Sequence, residues 1–137
     1  MRSKMKFAPM FIAILLLNGC ANMSNKVDYL EQARSCVGLS QCSSVMMHRV
    51  RSHAEWICSK KSENKIAEVG ISLSKEGLVT KKQLRKSSGD KEMDNAALLA
   101  VTESEPFIEI TRLNTSEYES AKNILFKFKG KIPEGSN

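Results

Sequence analysis

Between Ala67 and Ser74 the chain takes a period of two. Ala67, Val69, Ile71 and Leu73 alternate with Glu68, Gly70, Ser72 and Ser74. Only an extended strand with one face on a core and the other in water satisfies that pattern, so the remaining elements must supply the core. Lys75-Glu76-Gly77 makes a short turn, with Gly77 free to take positive φ. Leu78 to Ser87 is then the hairpin partner, although Lys81, Lys82, Arg85 and Lys86 spoil its alternation. Near the end of the chain Ile124, Phe126 and Phe128 alternate with Leu125, Lys127 and Lys129, which makes a third strand.

The helical period appears in three other places. A weak pattern of Val27, Leu30, Ala33 and Val37 stops at Gly38. Ser40 is placed to cap a second helix. The stripe Met46, Val50, His53 with Ala54, and Ile57 carries that helix from Gln41 to Ser59, with Trp56 at its margin. Ser87-Ser88-Gly89-Asp90 is a loop ending in a helix cap. Met93, Ala97, Ala100 and Val101 then mark one face of a third helix, which ends near Ser104 ahead of Pro106. Phe107 to Leu113 reads as extended. Thr115 to Lys122 reads as one or two helical turns capped by Thr115 or Ser116. This order describes an α+β domain, a small three-stranded antiparallel sheet with helices packed on one face.

The N-terminus carries an address. Arg2, Lys4 and Lys6 precede an apolar run from Phe7 to Leu17, shorter than the roughly 20 residues a membrane-spanning helix needs. A basic start, a short apolar stretch and a small residue at a cut site form a secretory signal. Leu17-Asn18-Gly19-Cys20 resembles the bacterial lipobox, in which the cysteine thiol becomes a thioether to diacylglycerol before cleavage. The resemblance implies a lipoprotein with signal peptide 1–19, a lipidated Cys20 with a tether over 20–26, one domain over 27–130 and a loose tail over 131–137. Ala21 is the kind of residue that, by the enterobacterial sorting rule, permits export to the outer membrane. The expected location is therefore the periplasmic face of that membrane, held by lipid on Cys20. Losing three basic residues with the signal takes the formal charge from +6 to +3. The remaining cations form no block dense enough for nucleic acid.

Lipidation of Cys20 leaves Cys36, Cys42 and Cys58, and an oxidising periplasm favours pairing two of them. Cys42 and Cys58 lie near opposite ends of the second helix as drawn, about 24 Å apart at about 1.5 Å per residue, beyond the reach of about 7 Å between Cα atoms. Cys36 and Cys42 flank a turn between helices and form the expected disulfide. His48 and His53 among these cysteines are zinc-ligand types, but the spacing matches no compact finger, so no metal or other cofactor is expected. No nucleophile elbow, His-Glu-x-x-His, Cys-x-x-Cys or phosphate loop occurs, and the chain reads as a non-enzyme.

Four features resemble the C-terminal domains of TolA and TonB, TolA in particular. They are the helix region Arg51-Ser52-His53-Ala54-Glu55-Trp56, the glycine-turn hairpin Val69 to Ser87, the run Ser87-Ser88-Gly89-Asp90 with Asp94, Ala96-Ala97-Leu98, Ala100-Val101 and Pro106-Phe107, and the ending Tyr118-Glu119 with Phe126-Lys127-Phe128-Lys129. They span about Ser43 to Lys129. The resemblance implies a protein-binding domain whose partner is an envelope protein or an extended segment of one. The implied mechanism is strand addition at an unpaired edge, Ile124, Leu125, Phe126, Lys127, Phe128 and Lys129. Two other readings stand beside it: a decoy or exclusion lipoprotein that competes for colicins or phages directed at TolA, and a structural envelope lipoprotein with no dedicated partner. The chain departs from the family in having a lipid and almost no spacer, so energy transduction does not carry over. Ile108-Glu109-Ile110 after Pro106 marks a different connector.

Overall fold

The computed structural model describes residues 13–17, 28–58 and 60–130. The first described element is a strand, β1 (Ala13–Leu17), followed by helices α1 (Tyr29–Ser35) and α2 (Gly38–Ser52) and 3-10 turns at Glu55–Cys58 and Lys60–Ser62. The hairpin β2 (Ile66–Leu73) and β3 (Val79–Lys86) leads to α3 (Lys91–Glu103). A 3-10 stretch at Ile108–Arg112, then α4 (Thr115–Ala121) and β4 (Asn123–Lys129), complete the domain. The strands form one sheet in the order β1-β4-β2-β3. The two contacts of β2 are antiparallel and that of β1 with β4 is parallel.

The alternation that opens the sequence argument is the alternation of burial. Ala67, Val69, Ile71 and Leu73 of β2 are buried, as are Ile124, Phe126 and Phe128 of β4. Against them lie Met46 and Val50 of α2, Met93, Ala97, Ala100 and Val101 of α3, and Phe107 and Ile110 of the connector. Small alanines at 97 and 100 let α3 sit close to the sheet. The opposite sheet face is open, which is common for antiparallel sheets. β3 is exposed along most of its length and carries the lysines that protect an edge from aggregation.

The chain is α+β with helices on one sheet face, and the sheet has four strands where three antiparallel ones are expected from sequence. The extra strand comes from the apolar run read as a signal segment. Its aliphatic residues suit a strand, and they pair with backbone groups of β4 that otherwise face outward. Consequently the strand expected as a free edge, Ile124 to Lys129, is paired with β1 from Ile124 to Phe128.

Other local expectations shift for identifiable reasons. α2 ends at Ser52, short of Ser59, because the backbone tightens: the His53 amide donates to the Val50 carbonyl at 3.0 Å and the Ala54 amide to Arg51 at 2.9 Å. Ala54 and Ile57 stay buried as the chain turns, and His53, which shares their stripe in the helix as drawn, faces solvent. Ser40 does not cap α2. Val37 is its N-cap, without a side-chain bond, and Gly38 opens the helix with φ of 79° instead of closing the one before. Phe107 to Leu113 is not extended, since Phe107 and Ile110 are both buried and the three-residue spacing of a 3-10 helix puts them on one side. α4 is capped by Asn114 and not by Thr115 or Ser116, in a reciprocal box with Glu117.

Cys36 and Cys42 are bonded, with Cα atoms 5.2 Å apart. Both are buried with Ala33 and Val45 in a satellite cluster under the α1–α2 turn. Cys20, the tether over 20–26 and the tail over 131–137 lie outside the described residues, as does the side chain of Cys58.

Candidate functional site

β4 lies between β1 and β2, and its two faces differ in chemistry. On the helix side, Phe126 stacks on Phe107 with ring centroids 6.0 Å apart, and Phe128 stacks on Trp56 at 5.6 Å. This places a row of buried aromatics behind the strand. β1 pairs with it in register, Ala13 opposite Ile124, Leu15 opposite Phe126 and Leu17 opposite Phe128. Leu15 packs on the main core, whereas Ile14, on the open face, is 63% exposed.

The open sheet face is basic. Lys127 of β4 is opposite Glu68 of β2, which is opposite Lys86 of β3. Lys129 neighbours Ile66, and Lys81 neighbours Ser72. Arg85 lies across Gly70, where an added Cβ would meet its Cγ at 3.0 Å. Among the described residues none of these five cations makes an ion pair, and Glu68 is the one acid in their midst.

Ser87-Ser88-Gly89-Asp90, with Asp94, is a structural knot. Gly89 takes φ of 89°. Asp90 caps α3 by accepting from the Glu92 and Met93 amides, and it pairs with Lys65 at 3.1 Å. The Lys65 hydrogen bond is the largest of the effects that lower the Asp90 carboxyl pKa. Asp94 accepts from the Ser87 hydroxyl, from the Ser88 amide at 2.8 Å and from the Ser88 hydroxyl at 2.7 Å. Burial pushes its carboxyl pKa up, but the hydrogen bonds from Ser87 and Ser88 together outweigh burial and leave it below the usual value. A lowered folded pKa gives stability that is present above the unfolded pKa and lost as pH falls through the folded value. Asp94→Ala is therefore expected to lose about 1–3 kcal/mol near neutrality through its charge-assisted bonds. The gap to the parent should close on acidification below about pH 4. Denaturant midpoints measured from pH 7 to pH 2 check this; a gap of constant size would assign the effect to packing.

A second buried charge lies beneath α2. Glu109 is fully buried, and Arg49 Nη1 donates to both of its carboxylate oxygens at 2.9 Å. Arg49 Nη2 also donates to the Ser104 carbonyl at 2.6 Å, and its guanidinium lies 5.9 Å from the Phe107 ring centroid. Burial raises the Glu109 pKa despite Arg49. Sequence reading did not find this pair. Its only trace is one acid within Phe107-Ile108-Glu109-Ile110.

Of the other residues weighed for chemistry, Cys36 and Cys42 are consumed in their disulfide. His48 stacks on Tyr29 with centroids 5.4 Å apart, and His53 Nδ1 lies 3.6 Å from Glu103. Among the described residues no group of three or more His, Cys, Asp or Glu is placed to hold a metal. The outward side of β4, with buried aromatics on one face and open-face lysines on the other, carries β1 along Ile124 to Phe128.

A family model described as the TonB C terminal matches residues 43–128. Among solved structures, the chain is similar to the solution NMR structure of TolAIII bound to a peptide derived from the N-terminus of TolB. The TM-score is 0.56 and the identity 21%, covering 80% of this chain and 79% of that one; a likeness at this identity concerns the fold. No curated protein matches the sequence.

Proposed function

Because the chain belongs to the TonB C-terminal family, we propose that it is a protein-binding module of the bacterial envelope that takes up an extended segment of a partner along β4. The observation that carries this reading is β1. A five-residue strand from outside the compact 28–130 unit pairs along the whole of its own length with Ile124 to Phe128 of β4, and its Leu15 packs against the main core. An edge that accepts a strand from so distant a part of the chain has the chemistry for strand addition, in which backbone bonds supply affinity and alternate side chains supply specificity. The TolAIII structure was determined with a peptide bound, which fits the same reading.

The lipobox gives that edge a condition. Cleavage before Cys20 removes β1 from the processed chain, and β4 then presents its outward side. In this reading lipid on Cys20 holds the domain at the periplasmic face of the outer membrane, the partner is another envelope protein, and the activity is binding, not catalysis. In this reading the processed domain keeps its core without β1: among the described residues every buried member of the main cluster lies between Met46 and Phe128.

Two experiments test the proposal. Residues 21–137 carrying a photo-crosslinker at Leu125 should capture an envelope protein from periplasmic extracts, whereas the chain that retains 13–17 should capture less. Equal capture by both, or capture only by a second probe placed at Gln83 of β3, would put the site elsewhere. Separately, labelled palmitate should enter the wild-type protein and not Cys20→Ser. Persistent label in Cys20→Ser would remove the lipid anchor from the reading.

A further inference from the structure

We infer that the β4 edge selects a partner strand that runs parallel to β4 and alternates apolar residues with acidic ones, the acids lying opposite Lys127 and Lys129. The inference rests on the strand-addition reading above and adds the chemistry of the partner. Register carries it. Any strand occupying the place of β1 sends alternate side chains to opposite faces. Positions equivalent to 13, 15 and 17 align with Ile124, Phe126 and Phe128, all buried on the helix side, so they require apolar residues. Positions equivalent to 14 and 16 align with Leu125 and Lys127 on the open face. One step further in the same register, the next outward position lies opposite Lys129.

The open face is already patterned by charge at that level. Lys127, Glu68 and Lys86 form a row across β4, β2 and β3, positive, negative and positive. An acid at the equivalent of position 16 completes an alternating row of four. An acid opposite Lys129 meets a cation whose other neighbour is the uncharged Ile66. Opposite charges directly across a strand pair stabilise it and like charges oppose it. The uncompensated positive field of Lys81, Arg85 and Lys86 on the same face acts in the same direction. β1 answers only the inward half of this pattern. Its open-face Ile14 remains 63% exposed and its residue opposite Lys127 is Leu16. It therefore fills the slot without pairing its charges, which suits a segment that gives way to a better matched strand.

The test uses residues 21–137 and three synthetic heptapeptides. One alternates valine with glutamate, the second alternates valine with lysine, and the third alternates serine with glutamate. At low ionic strength the valine–glutamate peptide should bind at least about tenfold more tightly than the valine–lysine peptide, two cross-strand pairs being exchanged for two repulsions. The advantage should shrink with added salt. The serine–glutamate peptide should bind weakly, having lost the inward contacts. In Lys127→Glu/Lys129→Glu the preference should reverse. Lys129→Glu alone, away from Glu68, should halve the preference if the double variant folds badly. Equal affinity of the two valine peptides would overturn the acidic specificity and leave strand addition standing. Binding of none of the three would overturn both.

Discussion

Replacing Arg49 with alanine is expected to destabilise the domain by about 3–5 kcal/mol, because it leaves the fully buried carboxylate of Glu109 without its partner. The guanidinium satisfies both Glu109 oxygens and the Ser104 carbonyl. It thereby fastens α2 to the end of α3 and to the connector after Pro106. Glu109→Ala should cost a similar amount from the other side of the pair. The informative comparison is the double variant Arg49→Met/Glu109→Leu, which keeps the volume and removes both charges. It should recover most of the loss, since the attraction of a buried pair roughly balances the cost of drying it. Urea denaturation of the four proteins decides the matter. If the double variant is as unstable as the singles, the pair is a net source of stability and not a device that fixes how the connector docks.

The pH dependence follows from the sign of the shift. The Glu109 pKa is raised, chiefly by burial, so the stability tied to its titration is present below the unfolded carboxyl pKa and declines as pH rises through the folded value. Asp94 acts in the opposite sense. Subtracting the double variant from the parent should thus isolate a contribution that becomes less favourable towards neutrality, even where acid weakens the domain as a whole.

Phe126→Ala is the second large expected effect, about 3–5 kcal/mol from lost transfer energy and the cavity left behind. Phe126 is fully buried. It stacks on Phe107 and lies between Val69 of β2 and Leu15 of β1. It belongs at once to the core and to the wall behind the docking edge. Two readouts separate these roles. Thermal or urea unfolding of residues 21–137 reports the core. Peptide affinity, measured under conditions where the variant remains folded, reports the edge. Loss of stability with unchanged peptide affinity would mean that inward side chains of the bound strand do not reach the Phe126 site.

Much of this architecture can be read along the chain because it is locally encoded. The alternation of Ala67, Val69, Ile71 and Leu73 needs no tertiary information to identify a half-buried strand. The glycine at position 77 takes φ of 85°, as its turn required. Asp90 caps α3 through bonds to residues two and three positions on. Cys36 and Cys42 are six residues apart in sequence, near enough that the turn between them brings them together whatever the rest of the fold does. The boundary errors fall where a residue had to choose between its local period and the core. His53 turned to solvent while Ala54 and Ile57 stayed inside, and Phe107 to Leu113 wound into a 3-10 helix to bury Phe107 and Ile110 together.

What only the tertiary structure decided are the contacts across long sequence separations. Arg49 and Glu109 are 60 residues apart, and neither residue announces the other, because a charge on a helix and an acid in a loop are each at home in water. β1 and β4 lie at opposite ends of the chain. The same aliphatic run serves equally as the apolar core of a signal segment or as a strand, since both uses ask only for hydrophobic residues over a short length. Composition and period state what each segment prefers. Which unpaired backbone edge a strand meets, and which charge is dried against which, depends on the packing of the whole domain, where an unsatisfied polar group costs more than any local preference is worth.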